Sequence, residues 1–421
     1  MAELKTIHTD ILIVGAGPSG SVAAGILKRQ SANIDVLVLE KGQFPRFSIG
    51  ESLLPQSMAY FEEAGMLQAI VEEGFQFKNG AQFSCRGHRM HFDFREKFSP
   101  GWGTTFQVQR AHFDQVLIEQ AEKQGVQVRF MQEVTAYRYD EAAKKCWVTV
   151  SDHASGEPYQ VCANFVLDAS GFARVFPRLL NLESPSGLPI RQAIFTHIED
   201  HIPTHSFDRN KILITVHPEH VDVWYWLIPF SNGRCSFGVV AEQSFFAEVA
   251  GETHDEKLKN LVQHDPYLSE ILSEAQWPLP VQTIIGYSAN VTSLVGPGYA
   301  LLGNAGEFLD PVFSSGITIA VKSASLAANC LLTERAGQAV DCVADFERPL
   351  RLGVDTFRTY VEAWYEGKFQ DVVFSDHQQT DIREMLSSIL AGYAWDTRNP
   401  FVQNSKKRLT ALHELIMAQP A

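Results

Sequence analysis

A glycine-rich turn directly after a buried strand constrains the fold more than any other part of the sequence. Residues 9–15 (TDILIVG) form a short, β-branched apolar run, which is typical of a parallel strand buried on both faces. Alanine and leucine at helical spacing then extend from Ser19 to Arg29, and a second buried strand is predicted over 35–39. The glycines between strand and helix have the spacing G-x-G-x-x-G: Gly15, Gly17 and Gly20. The sequence therefore predicts a βαβ unit at the start of an α/β fold.

The same glycines predict a dinucleotide site. The first allows a tight turn, the second lets a pyrophosphate approach the backbone, and the third lets helix and strand pack closely. The helix N-terminus then offers free N–H groups to the phosphates. Glu40, 20 residues beyond Gly20 at the end of the second strand, can accept hydrogen bonds from ribose hydroxyls. The cofactor-binding residues predicted in this unit are Gly15, Ala16, Gly17, Ser19, Gly20, Glu40 and Lys41.

Length and charge limit the remaining possibilities. At 421 residues the chain is expected to form about two to three domains. Its net charge of −14 argues against nucleic acid as a partner. The sequence begins without an apolar signal segment, and no uncharged apolar run predicts a membrane span. The six cysteines form no C-x-x-C pair and predict reduced thiols, so a cytoplasmic protein is expected.

Further elements follow from periodicity. Helices are predicted from about Pro55 to Met66 and from Ala111 to Gln124, and antiparallel strands over 126–150. Strands rich in Ile, Phe, Val and Trp follow from about 190 to 240. The chain from Phe346 onward is helical and amphipathic, and is expected to form a cap on the rest.

A second motif identifies the nucleotide. YALLGNAGEFLDPVFSSGITIA (299–320) resembles the second flavin fingerprint of the FAD-dependent monooxygenase superfamily, which usually has Gly-Asp where this chain has Gly303-Asn304. An amide oxygen at Asn304 can accept from the ribityl chain as the usual aspartate does. QVQRAHFD and FVLDASGFAR are further matches in family order. The resemblance implies FAD and adds these contacts: Arg46, Ser52, Arg110, Asp168, Asn304, Pro311, Gly316 and Ile317.

Three more stretches resemble flavin-dependent halogenases. FPRFSIGESLLP (44–55) is similar to a segment that these enzymes share, and VWYWLIPF contains their W-x-W-x-I-P motif. FKNGAQF places Lys78 in the K-x-G-A context of their active-site lysine. The resemblance implies an FAD-dependent oxidoreductase that uses reduced FAD, O2 and a halide ion to halogenate an electron-rich aromatic such as a phenol or pyrrole. Its expected partners are a flavin reductase, because only one dinucleotide fingerprint is present, and a substrate that in some members is tethered to a carrier protein.

The resemblance also implies residue roles. Lys78 would hydrogen-bond or carry the halogenating oxidant, and the backbone N–H groups of Ser315 and Gly316 would bind halide. A barrier between flavin and organic substrate would be formed by the W-x-W-x-I-P residues Trp224, Trp226, Ile228 and Pro229.

Several alternatives stay open at this point. Lys78 could be a surface lysine, the two tryptophans core aromatics, and Ser315 a helix cap. The histidines at 197, 201, 205, 217 and 220 favour exposed turns over a metal site, because Pro203 and Pro218 break any helix that would align them. An aromatic hydroxylase, a prenyl reductase of the geranylgeranyl-reductase type and a flavin-binding scaffold without turnover are the competing functions. The reductase motif Y-x-W-x-F-P differs at Trp224 and Ile228.

The overall prediction is an α/β protein with a Rossmann-type, glutathione-reductase-like FAD-binding domain, an inserted β-sheet substrate domain and a helical C-terminal cap. The FAD-binding domain is predicted to comprise 1–75, 100–185 and 285–345. The substrate domain would comprise 76–99 and 186–284, and the cap 346–421.

Overall fold

The computed structural model describes residues 4–376 and 379–418. The strands are β1 Thr6–Val14, β2 Val36–Leu39, β3 Gln76–Lys78, β4 Gly80–Cys85, β5 His88–Asp93, β6 Thr105–Gln107, β7 Gln127–Arg129, β8 Gln132–Asp140, β9 Lys145–Asp152, β10 Pro158–Asp168, β11 Glu183–Ser184, β12 Gln192–Glu199, β13 Lys211–Val216, β14 Trp224–Pro229, β15 Arg234–Ala241, β16 Gln282–Ile285, β17 Asn290–Val291, β18 Val295–Gly296 and β19 Tyr299–Leu301. The α-helices are α1 Pro18–Gln30, α2 Ser57–Glu63, α3 Leu67–Glu72, α4 Arg110–Lys123, α5 Val175–Leu179, α6 Gln243–Glu248, α7 His254–His264, α8 Pro266–Ile271, α9 Ser315–Arg335, α10 Arg348–Tyr365, α11 Lys368–Val373, α12 Thr380–Leu390, α13 Pro400–Gln403 and α14 Ser405–Met417. Short 3-10 turns span Gly171–Ala173, Gly303–Ala305 and Pro311–Phe313, and a π-turn spans Val343–Glu347.

The first sheet confirms the predicted α/β class. Its strand order is β18-β19-β10-β1-β2-β7, with β1 parallel to both β10 and β2, and β9 and β8 extend it in antiparallel fashion. The buried residues Ile11–Val14 place β1 in the core, as the unbroken apolar run predicts. Helix α1 connects β1 to β2 and packs against α9. One edge of this sheet therefore holds the ends of β1 and β2 together with the starts of α1 and α9.

The second sheet has the order β16-β12-β15-β14-β13-β4-β5 and separates two apolar cores. Along β14, Trp224 and Trp226 belong to the large core shared with the first sheet, whereas Tyr225 and Leu227 belong to a smaller core with α7 and α8. This alternation is the two-residue period of a strand covered on both faces. It turns every second residue of β14 toward the first sheet.

The C-terminal helices α10 to α14 pack on this framework, and the predicted helical C-terminus is confirmed. Among the described residues, α9 is the one helix long and apolar enough to cross a membrane, but most of it is buried in the protein. Its apolarity is thus that of a core helix. The exact domain boundaries stay a prediction.

Two local predictions need correction. The helix predicted over 55–66 ends at Glu63, because Gly65 adopts φ +72° and turns the chain before α3. Within 126–150, only β8 and β9 pair antiparallel, whereas β7 lies parallel to β2. The six cysteines are all free, as predicted.

Candidate functional site

A cavity of about 900 Å³ lies between the two sheets. On one side it is lined by predicted cofactor-binding residues: Gly15, Gly17, Ser19, Glu40, Lys41, Arg46, Ser52, Arg110, Asn304, Pro311, Gly316 and Ile317. On the other side it is lined by three residues of β14, Trp224, Trp226 and Ile228. The structure thus brings together at one cavity motifs that are spread over about 300 residues of sequence.

The three glycines have the geometry that the fingerprint requires. Gly15 adopts φ +102°, and a Cβ there would lie 2.5 Å from the carbonyl oxygen of Ala169. A Cβ at Gly20 would lie 2.0 Å from the carbonyl oxygen of Gly15, so α1 can approach β1 only without a side chain. A Cβ at Gly17 would meet nothing within 4 Å, which leaves space for a ligand against the backbone. Gly20 itself does not line the cavity; it acts through packing.

Glu40 is held in place at the end of β2. Its Oε2 accepts from the backbone N–H of Ala16 at 2.9 Å, and its Oε1 accepts from that of Gly42 at 2.9 Å. The Arg46 Nε lies 3.5 Å from Oε1. Ala16 thus lies behind the cavity wall and orients the carboxylate, which faces the cavity beside Gly42.

Two helices begin at the cavity with free N-termini. Gly17 precedes α1 and Ser314 precedes α9, and neither helix has a side-chain cap or an acidic residue in its first turn. Unpaired N–H groups and the helix dipole therefore favour anionic groups at both points. These residues fit FAD. The space over Gly17 and the N-terminus of α1 suit a pyrophosphate, the fixed carboxylate of Glu40 suits a ribose, and the N-terminus of α9 suits an electron-accepting ring.

Arg110 shapes the cavity from α4. Its Nε and Nη2 donate to the carboxylate of Asp114 at 2.7 and 2.9 Å, and its Nη1 donates to the carbonyl oxygen of Ile49 at 2.5 Å. This bidentate ion pair is buried, so the guanidinium is fixed. Arg110 thereby holds the segment around Ile49 and Gly50 along the cavity.

Three predicted residues are placed elsewhere than the motifs imply. The Asp168 carboxylate does not line the cavity; it accepts from the backbone N–H groups of Ser170 and Phe176 and so fixes the loop that does. Burial raises the pKa of Asp168. Ser315 is buried in the first turn of α9, and its neighbour Ser314 lines the cavity instead. Pro229 also does not line it, because strand alternation directs it away from the side that Ile228 faces.

Lys78, at the end of β3, is fully buried and does not line the cavity. Its Nζ donates to the Oγ of Ser52 at 2.6 Å and to the carbonyl oxygen of Leu53 at 2.8 Å, and lies 5.4 Å from the centre of the Phe94 ring. Burial lowers the pKa of Lys78 to about 7. The interpretation of Lys78 as a surface lysine is therefore wrong. Ser52, which lines the cavity, lies between the cavity and the Lys78 ammonium group.

Trp224 and Trp226, together called the tryptophan wall, are tightly packed. The ring centres of Trp224 and Trp226 lie 5.9 Å apart, and Phe195 lies 5.9 Å from Trp226. The Nε1 of Trp226 donates to the Oγ of Ser236 at 3.0 Å. Gly238 pairs with Trp226 across the sheet, and a Cβ there would lie 2.4 Å from the indole. The large rings fit because β15 has no side chain at that position.

The sequence analysis missed a buried acidic residue at the cavity. Glu51 lines the cavity, is 1% exposed, and its Oε1 lies 2.6 Å from the Nε2 of His197. Phe47 also lines it and stacks on Phe195 at 6.1 Å. In the sequence, only the position of Phe47 and Glu51 within FPRFSIGESLLP connects them with the site. The contact between Glu51 and His197 could not be predicted, because the two residues are 146 positions apart.

The histidines that the sequence offers as possible metal ligands are not gathered in one cluster. His217 and His220 have ring centres 5.1 Å apart, and burial lowers the pKa of His217 to about 4. In the described parts of the chain, no group of three or more His, Cys, Asp or Glu is placed to hold a metal ion.

A family model, a solved structure and a curated relative each match most of this chain. Residues 8–343 match the family model described as FAD binding domain. A crystal structure of a flavoprotein/dehydrogenase from Cytophaga hutchinsonii is 39% identical, with a TM-score of 0.92 over 98% of this chain and 99% of that one. The tryptophan 2-halogenase of Chondromyces crocatus is 31% identical over 339 residues, which are 78% of this chain and 62% of the halogenase.

A further relative is a 1H-pyrrole-2-carbonyl-peptidyl-carrier-protein chlorinase of Pseudomonas fluorescens. It is 25% identical over 410 residues, which cover 90% of this chain and 88% of the chlorinase. The chain therefore belongs to the FAD binding domain family and is related to the flavin-dependent halogenases.

Proposed function

We propose that this flavoprotein is a halogenase that uses reduced FAD, O2 and a halide to halogenate an electron-rich aromatic of the phenol or pyrrole class. The observation that carries the proposal is the division of the cavity. The cofactor cradle of β1, β2, α1 and α9 forms one side, and Trp224, Trp226 and Ile228 form the other. Such a wall would keep an organic substrate away from the flavin and would let only a small oxidant pass.

Each group of residues has a distinct task under this proposal. Glu40 and the N-terminus of α1 bind the ribose and the pyrophosphate of FAD, which supplies the redox chemistry that activates O2. The backbone N–H groups of Gly316, which lines the cavity, and of the adjoining Ser315, which is buried, would bind the halide at the uncapped start of α9. Lys78, whose pKa lies near 7, holds a proton at Nζ and polarises the Ser52 hydroxyl, which lines the cavity, through the hydrogen bond that it donates.

The partners follow from the same chemistry. A separate flavin reductase would deliver reduced FAD, since the sequence contains one dinucleotide fingerprint. Similarity to a chlorinase of a carrier-bound pyrrole over 90% of this chain supports a substrate tethered to a carrier protein. A cytoplasmic location is proposed because the six cysteines are free.

A second candidate is an enzyme that oxidises its organic substrate directly. It is favoured by the position of Lys78, whose Nζ is separated from the cavity by Ser52. The 39% identical structure described as a flavoprotein/dehydrogenase adds support. Such an enzyme would reduce its own FAD with substrate and would not require halide.

One reaction distinguishes these functions. The protein is supplied with FAD, an independent flavin reductase, O2 and bromide, together with a generic halogen acceptor of the monochlorodimedone type. Bromide-dependent loss of the acceptor and a product carrying bromine support the halogenase. Product formation that is independent of bromide, or FAD reduction by an organic substrate without the reductase, would instead identify the direct oxidase.

A further inference from the structure

A residue of the C-terminal helices reaches the tryptophan wall. Tyr365, the last residue of α10, accepts a hydrogen bond at its hydroxyl from the Nε1 of Trp224 at 2.9 Å. The two residues are 141 positions apart in sequence. Trp226 is held separately by Ser236, so each indole of the wall has a partner of its own.

Tyr365 is itself anchored at the flavin side of the cavity. Its hydroxyl donates to the Oδ2 of Asp310 at 2.8 Å, and Tyr287 donates to the same oxygen at 3.3 Å. The other oxygen of Asp310 accepts from the backbone N–H of Val312 at 3.1 Å. Asp310 directly precedes Pro311, which lines the cavity before α9. One hydroxyl thus connects the loop at the cofactor to the barrier of β14.

The ring of Tyr365 is also fixed through its face. The guanidinium carbon of Arg191 lies 3.8 Å from the ring centre, and its Nη1 donates to the carbonyl oxygen of Asp222 at 2.9 Å. Arg191 is 4% exposed, so this cation–π contact is desolvated and correspondingly strong. The tyrosine therefore cannot rotate away without breaking contacts at both its hydroxyl and its face.

We propose that Tyr365 is a positioning residue that holds the Trp224 indole in the barrier, with Asp310 as its anchor. The inference rests on the proposed function and adds to it a determinant outside the flavin and tryptophan motifs. Trp224 is 1% exposed, so loss of the tyrosine hydroxyl leaves a buried indole N–H without an acceptor. The indole then becomes mobile, and substrate and oxidant are no longer separated.

The first test measures how fast the Trp224 indole N–H exchanges with solvent and does not depend on enzyme activity. Holoprotein with 15N-labelled indoles contains seven Trp Nε1–H groups, and the signal missing from Trp224→Phe identifies Trp224. In Tyr365→Phe, this N–H is expected to exchange with solvent about ten-fold faster, the factor for one lost hydrogen bond. Tyr360→Phe is the matched control, because Tyr360 lies buried on the same helix and donates to the Phe401 carbonyl oxygen away from the wall. Unchanged exchange in Tyr365→Phe would overturn the proposal.

The second test asks whether Tyr365 acts through Trp224. Halogenated product per reduced FAD consumed is measured in the two single variants and in Trp224→Phe/Tyr365→Phe. We expect each single variant to release more H2O2 per product, and the double variant to resemble Trp224→Phe alone. Additive losses would mean that Tyr365 acts independently of the indole and would refute the positioning role. If the wild-type protein gives no halogenated product, the proposed function fails, while the exchange measurement still decides the hydrogen bond.

Discussion

The Nζ of Lys78 lies 2.6 Å from the Oγ of Ser52, and of these two residues Ser52 lines the cavity whereas Lys78 does not. The lysine also donates to the carbonyl oxygen of Leu53 and faces the Phe94 ring. Its three hydrogens are thus directed at two oxygens and one aromatic face. The Ser52 hydroxyl accepts from the ammonium and keeps its own hydrogen for another acceptor, which makes it the route by which the charge can influence the cavity.

Replacing Lys78 with Met should abolish halogenation while FAD stays bound, because the contacts of Glu40 and of the helix N-termini are unaffected. Lys211→Met is the matched control. Lys211 is also a buried lysine, bonded to Asn79 and Asp208, and it does not line the cavity. Product formation and flavin content are measured for both variants. Halogenation by Lys78→Met at the wild-type rate would remove the lysine from the mechanism.

The same residue predicts a pH dependence of stability. The folded-state pKa of Lys78 is about 7, below its ordinary value of 10.5, so the unfolded state binds the additional proton between these values. The buried charge is therefore most destabilising below pH 7, and this cost disappears as pH rises toward 10.5. Within that window, the free energy of unfolding of the wild-type protein should rise relative to that of Lys78→Met by about 1.4 kcal/mol per pH unit. Urea unfolding of both proteins at pH 6 and pH 9 with fixed excess FAD measures this difference. A pH-independent difference would mean that the ammonium is not desolvated.

The sequence predicts those parts of the site that depend on local geometry. Gly15 is required locally by its φ of +102°, and Gly20 by its close approach to the Gly15 carbonyl oxygen five residues earlier. The W-x-W alternation follows from the period of a strand. Contacts between distant segments were not predictable. Glu51 meets His197, and Trp224 meets Tyr365, only because the two sheets and α10 pack together. Asp168 was assigned to the cofactor from the resemblance of FVLDASGFAR to the family motif, whereas its carboxylate accepts from the backbone N–H groups of Ser170 and Phe176 and holds their loop.

Gly238→Val should disturb the tryptophan wall. The new Cβ would lie 2.4 Å from two atoms of the Trp226 indole and 2.6 Å from the Cβ of Phe195. Because neither ring nor strand can give way freely, we expect a loss of about 1–3 kcal/mol in the free energy of unfolding, typical of overpacking. Urea unfolding measures this loss, and flavin fluorescence reports on the cavity. Val239→Ala is the control, since its side chain belongs to the smaller core on the other face and should destabilise the protein without changing flavin fluorescence. Unaltered stability of Gly238→Val would show that the wall is loosely packed.

Glu40→Gln should weaken FAD binding without unfolding the protein. The carboxylate now accepts from the backbone N–H groups of both Ala16 and Gly42. An amide can accept at only one of these positions and places an NH2 group against the other. The ribose hydroxyls of FAD would also lose a charged acceptor. Since hydrogen bonds to a charged group are worth about 1.5–3 kcal/mol, loss of this contact should raise the Kd for FAD about ten- to a hundred-fold. Titration of apoprotein with FAD, followed by flavin fluorescence, gives the Kd.

The control for this substitution is Glu63→Gln. Glu63 accepts from Ser325 and Asn329 on α9 and does not line the cavity, so it tests loss of a carboxylate without loss of a cofactor contact. Its Kd for FAD should equal that of the wild-type protein. Equal affinities of Glu40→Gln and Glu63→Gln would mean that the carboxylate at the end of β2 organises the turn but does not contact the cofactor. Weakened binding in Glu40→Gln alone would show that this carboxylate holds part of FAD when the cofactor is bound.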